Sequence, residues 1–183
     1  RLIVAAALAK DVLPEEYSVV GTVRGSDLAG LRYEPLYTPA GWGVPLMWFD
    51  PAAEGRLTVI DDVSKVERAY TVLGGDFVSL EDGTGIVHTA PAFGEEDFQM
   101  MKVHGLPMIE SVDEEGRMKP FCGPFAGMRI KEADAPIMED LVSRGLLHRQ
   151  GTITHSVPVC WRCATSLLYK AQPAWFVAVT KMK

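Results

Sequence analysis

The sequence predicts a mixed α/β domain, predominantly β, in which short strands form a partly closed barrel with helices on its outside. Three observations lead there. Many short β-prone runs alternate with turns rich in Gly, Pro, Asp and Ser; only two or three stretches carry helical spacing; and 48% of the 183 residues are apolar against 23% charged. That composition supports one domain with a substantial core, with or without a small appendage. No apolar run approaches the roughly 18 residues that suggest a membrane span.

Leu2 to Val4 followed by the Ala- and Leu-rich stretch to Leu13 predicts a strand end running into a short helix, stopped at Pro14. Tyr17–Val23 and Leu31–Tyr37 alternate loosely and predict strands, Pro35 marking an end or edge. Thr38 to Asp50, with Pro39, Gly41, Gly43 and Pro45 between Trp42 and Trp48, reads as an irregular loop anchored by aromatics. Arg56–Ile60, Ala69–Leu73 and Phe77–Leu80 predict adjacent strands. Glu95–His104 predicts a helix ended by Gly105; Leu106–Ile109 a strand; Asp113–Gly116 a turn. Ile130–Leu147 is the strongest helical pattern, with Ala133, Ile137, Met138, Leu141 and Val142 at helical spacing and Gly145 near its end. The β pattern then returns in 153–157, Ser166–Tyr169 and Trp175–Val179.

The net charge of −6 conceals an asymmetry. All 24 acidic residues lie within residues 1–140, whereas residues 141–183 carry only the bases Arg144, Arg149, Arg162, Lys170, Lys181 and Lys183. The acidic body is a poor general nucleic-acid surface; the basic end either faces a polyanion or is a solvated face. Three cysteines do not make a disulfide framework, and Cys160-Trp-Arg-Cys163 has a spacing suited to metal or redox chemistry, which favours a reducing cytoplasm. Arg1 at the start and Thr180-Lys-Met-Lys183 at the end suggest a piece of a longer polypeptide.

The chemistry concentrates in Gly83-Thr-Gly-Ile-Val-His-Thr-Ala-Pro-Ala-Phe-Gly-Glu-Glu-Asp97. A strand delivers His88, Pro91 breaks it, and Gly94 opens a helix whose first turn holds Glu95, Glu96 and Asp97. A histidine after an apolar run is more often structural than catalytic. Carboxylates in a first turn are already favoured by the helix dipole, by about 0.3–1 kcal/mol each. The dipole also favours keeping Asp97 ionised, as an ammonium-binding group requires. Gly83 and Gly85 are either turn residues or places where a ligand approaches the backbone.

Taken together, Gly83 to Asp97 resembles the motif of the editing domain of isoleucyl-tRNA synthetases, class I enzymes. The leucyl and valyl relatives share the Gly-Thr-Gly start, the proline and the later aspartate, but not a histidine followed by Ala-Pro-Ala-Phe-Gly. Gly30 to Tyr37, Gly75 to Val78, Val112-Asp113 with Gly116, His155 to Cys163 and Tyr169 to Phe176 resemble further family segments. The resemblance implies the editing-domain fold shared by the valine, isoleucine and leucine enzymes over residues 1–155. Residues 156–183 would then be an exit segment returning to the synthetic domain. The family's threonine-rich strand, Trp-Thr-Thr-Thr-Pro-Trp, is expected upstream, so the chain alone is expected to edit weakly or not at all.

The implied function is hydrolysis of valine misattached to the isoleucine tRNA, after transfer and in some cases before it. One missing methylene gives only about 1–3 kcal/mol of discrimination, the problem for which this synthetase is itself the standard example. By resemblance, Asp97 binds the α-ammonium and His88 bounds the side-chain pocket and orients the ester. Gly83, Thr84, Gly85, Ala90 and Phe93 line the cleft. No nucleophile with its own base is evident in the sequence, so water is expected to attack directly, positioned with the ribose hydroxyl. Hydrolysis calls for no cofactor. Cys160 and Cys163 resemble half of a zinc site in the full-length enzyme, and a local site with His148 and His155 is the alternative. Cys122 is expected to be a packed small residue. The implied partners are the tRNA 3′ end and the synthetic domain, with no membrane. The rival reading is a non-catalytic module that positions the tRNA 3′ end through the basic C-terminal segment.

Overall fold

The computed structural model describes residues 1–38, 46–50, 56–59, 67–81, 83–152, 154, 156–172 and 174–182. Helix α1 spans Ala9–Val12 and follows a 3-10 turn at Ala6–Leu8, ending at Leu13 because Pro14 disfavours a helical residue before it. Strand β1 is Leu46–Asp50, β2 is Arg56–Val59 and β3 is Pro107–Ile109. They form one antiparallel sheet in the order β2-β1-β3, with Trp48 opposite Thr58 on one side and Pro107 on the other. Pro107 has no amide to donate, which is tolerated at the first residue of an edge strand.

The architecture is mixed α/β as predicted, but the described sheet is open rather than a partly closed barrel. Nor are the described residues predominantly β: strands of five, four and three residues stand beside helices of ten and fourteen. Strand formation needs a partner and a buried face as well as propensity, and Val19, Val20 and Val23 remain 72%, 76% and 62% exposed. Residues 30–33 and 70–72 approach that condition. They exchange the backbone bonds Gly30 N to Val72 O, Val72 N to Leu31 O and Tyr33 N to Tyr70 O, yet form only the single bridge Arg32–Thr71. Glu67–Tyr70 is a 3-10 turn, and Phe77–Leu80 pairs with nothing among the described residues.

The loop expected over Thr38 to Asp50 is corrected at its far end. The Gly and Pro breakers stop at Pro45, and the uninterrupted Leu-Met-Trp-Phe that follows is the central strand. Trp42 and the rest of residues 39–45 lie outside the described residues, as do Ile60, Ile153 and His155.

Helix α2, Glu95–His104, matches its predicted span. Gly94 is the N-cap in extended conformation, and Gly105 closes the helix at φ 63°, where its amide bonds Met101 O. Met101 is fully buried and, with Ala92, Leu106 and Met108, makes the core between α2 and the sheet; Met47, Leu73, Phe93, Phe98, Met100 and Ala171 pack around it. Helix α3, Ile130–Ser143, begins where the Glu132 carboxylate accepts the Arg129 amide at 3.1 Å; arginine has no acceptor, so only this half of a capping box forms. Ala133 is buried, but Val142 is 60% exposed, so the apolar face is narrower than its spacing suggests. Pro136 lies within α3 and leaves the carbonyl four residues earlier without its helical donor.

Candidate functional site

Gly83 and Gly85 sit at φ 70° and 73°, the left-handed region open to glycine, and the Thr84 hydroxyl between them donates to Ile86 O at 2.9 Å. The Ala5 amide donates to Thr84 O at 2.8 Å. A Cβ on Gly85 would lie 2.5 Å from the Ala5 Cβ, so the close approach this glycine permits is made here by the chain's own N-terminal segment. A Cβ on Gly83 would have nothing within 4 Å among the described residues outside its chain neighbours.

From Gly85 to Ala90 the chain has no regular secondary structure and pairs with no strand among the described residues, where a strand was expected. Ile86 and Val87 are half exposed, at 51% and 52%, and His88 is exposed. Pro91 stops the run. A turn from Ala90 to Phe93, closed by Phe93 N to Ala90 O at 2.8 Å, turns Ala92 into the core and leaves Phe93 half-buried over it.

Asp97 stands three residues into the helix and is half-buried. Its carboxylate folds back over the N-cap, where a Cβ on Gly94 would lie 2.5 Å from Oδ2. No hydrogen bond among the described residues joins His88 to Asp97. A groove of about 570 Å³ opens beside this helix start, lined by Phe93, Gly94, Glu95, Glu96, Gln99 and Tyr169. Of the residues singled out as cleft-lining from sequence, the groove contains Phe93. Gln99 and Tyr169 were not singled out, since neither spacing nor periodicity marks them.

Tyr169 reaches the groove because the residues that follow it are pinned to the core. Ala171 N donates to Ala92 O at 2.8 Å, and Lys170 Nζ lies 2.8 Å from Glu110 Oε1, while Lys119 Nζ holds Oε2 at 2.7 Å. Burial would raise the Glu110 carboxyl, but the two ammonium groups outweigh it and hold the group below the ordinary carboxylate value.

The basic end is partly committed within the chain. Arg144 pairs with Asp140 at 2.9 Å and donates to Leu36 O at 2.6 Å, and Tyr37 OH donates to the same Asp140 oxygen. Lys170 is likewise paired.

Cys160 and Cys163 share one turn, closed by Ala164 N to Cys160 O at 2.8 Å. The Cys163 thiol lies below its ordinary pKa, chiefly through its hydrogen bond to Thr165, with Cys160 contributing. A structural zinc needs four ligands; this turn offers two, and no group of three or more His, Cys, Asp or Glu occurs among the described residues. His148 is exposed. Cys122 is buried, with its thiol directed to Ser111 O, as a packed small residue should be.

No helix among the described residues is long and apolar enough to cross a membrane. No protein-family model matches the chain. Individual relatives do match: it is 41% identical over 185 residues to an isoleucine–tRNA ligase of Clostridium tetani and 41% identical over 186 residues to one of Bdellovibrio bacteriovorus. An isoleucine–tRNA ligase of Thermus thermophilus is 40% identical over 182 residues. Each alignment takes in all of this chain but only 15–16% of the relative's length. From end to end, the chain is homologous to one segment of the isoleucine–tRNA ligases.

Proposed function

We propose that this chain is the editing segment of an isoleucyl-tRNA synthetase, hydrolysing the ester between valine and the isoleucine tRNA. The observation that carries the proposal is the Asp97 carboxylate folded over a bare glycine at the start of α2, in a chain homologous throughout to isoleucine–tRNA ligases. A carboxylate at this position suits an α-ammonium; the nearby groove is lined by Gly94 of the same helix start, though neither by Asp97 nor by His88. His88, exposed in the irregular segment before the helix, bounds the amino-acid side chain and orients the ester.

Water attacks the ester carbonyl carbon, the new carbon–oxygen bond forms, and the bond to the ribose oxygen breaks. The water proton passes to that ribose oxygen, leaving free valine and an intact tRNA 3′ end. Gly83, Thr84, Gly85, Ala90 and Phe93 shape the approach. The reaction needs no cofactor, and its partners are the tRNA 3′ end and a synthetic domain in the cytoplasm. Residues 156–183 lead back to that domain, and Cys160 and Cys163 contribute two thiolates to a zinc site completed elsewhere in the enzyme.

The test is deacylation of valyl-tRNA for isoleucine by the chain extended upstream through the threonine-rich strand and by the Asp97→Ala variant of that longer chain. Losing a hydrogen-bonded charge pair is expected to slow hydrolysis about 10- to 100-fold, with circular dichroism unchanged. An Asp97→Ala variant as fast as the parent ends the proposal.

A further inference from the structure

The groove at the start of α2 has a wall supplied from far along the chain. Phe93, Gly94, Glu95, Glu96 and Gln99 are local, but Tyr169 arrives on the exit segment, which the sequence suggests is only a way out of the domain. The two residues that follow it fix it. Lys170 makes an ion pair with Glu110 in which the lysine side chain is only 9% exposed, and the Ala171 amide donates to Ala92 O inside the Gly83 to Asp97 stretch. Tyr169 itself is 65% exposed, so its ring is held at the groove without being consumed by the core.

A lysine desolvated to this degree is unfavourable unless it is paired, so Glu110 sets where the segment docks. Lys119 holds the other Glu110 oxygen, which leaves Oε1 to Lys170. The lining chemistry is also selective. Phe93 and Tyr169 offer aromatic faces, Gln99 an amide, and Glu95 and Glu96 two carboxylates that repel phosphate.

We infer that Tyr169 is a substrate-contacting wall of this groove, receiving the planar, unphosphorylated end of the aminoacyl ester, and that Glu110 and Lys170 are positioning residues that dock it. The inference rests on the editing function proposed above and adds a site residue from the exit segment.

The experiment titrates the chain, extended upstream through the threonine-rich strand, with a non-hydrolysable valyl-adenosine amide, followed by NMR, beside amide hydrogen exchange at Ala171. Tyr169→Ala is expected to weaken binding about tenfold and Tyr169→Phe to leave it close to the parent, Ala171 staying protected in both. Lys170→Met is expected to weaken binding similarly and to speed Ala171 exchange, and Lys170→Arg to restore both. Binding that Asp97→Ala abolishes but Tyr169→Ala leaves untouched overturns this inference and spares the editing function. Binding sensitive to Tyr169 but indifferent to Asp97 does the reverse. If the parent chain does not bind the amide, both fall. Unchanged Ala171 exchange in Lys170→Met overturns the docking role of the ion pair.

Discussion

The Asp97 carboxylate occupies the space in which a side chain on Gly94 would begin: a Cβ there would lie 2.5 Å from Oδ2 and 3.1 Å from Cγ. Gly94 has φ −152° and ψ 147°, a conformation open to alanine, so its absent side chain matters for space rather than for backbone freedom. Gly94→Ala is therefore expected to keep α2 and displace the carboxylate. Hydrolysis should fall about tenfold or more, as small misplacements of a substrate-binding group can cost up to about 100-fold. The check is valyl-tRNA deacylation beside helix content. A fully active Gly94→Ala would show that the carboxylate position is immaterial.

The Glu110 cluster makes stability depend on acid. Its folded pKa lies below the ordinary value of 4.5, so its contribution is fully present above that value and is lost as pH falls through the depressed folded pKa. Asp140, held down chiefly by Arg144 and then by Tyr37, acts in the same direction. Melting temperature should decline below pH 4.5. Glu110→Gln should melt lower at neutral pH and lose part of this acid dependence. Parallel pH profiles for parent and variant would exclude the cluster as a cause.

The core beneath the site is narrow and rests on methionines. Met101 is 0% exposed and Met108 1%. Met101→Ala should cost about 2–5 kcal/mol in denaturant unfolding, and the volume-conserving Met101→Leu under about 1.5 kcal/mol. Equal losses would mean that packing at this position does not govern stability.

Thiol reactivity should separate the cysteines. Cys163 is exposed and its pKa lowered by Thr165, while burial pushes the Cys122 thiol up. Iodoacetamide near neutral pH should label Cys163 well before Cys122, the order read by peptide mass spectrometry. Cys163→Ser should remove the fast phase; labelling of Cys122 first would contradict the local environments described.

Helix α2 was legible because its signals are local: a glycine before three acids, apolar positions at helical intervals and a terminal glycine each act within a turn or two. The same holds for α3 up to Ser143. The barrel was over-read for the opposite reason. Val19, Val20 and Val23 have strand-forming side chains, but a ladder depends on a partner segment that propensity does not specify. In β1, breakers clustered before Pro45 masked the apolar run after it.

At the candidate site, the sequence by itself determined the local chemistry: Gly94 as a cap, acids in the first turn of α2, His88 after an apolar run, and the motif that pointed to the synthetase family. Tertiary structure decided what faces what. It laid Ala5 over Gly85, set the Asp97 carboxylate in the space above Gly94, and drew Tyr169 to the groove through Lys170 and Ala171. Helix caps and turns arise from interactions between near neighbours in the chain. Contacts such as Lys170–Glu110 join residues 60 positions apart, and depend on packing that no local pattern encodes.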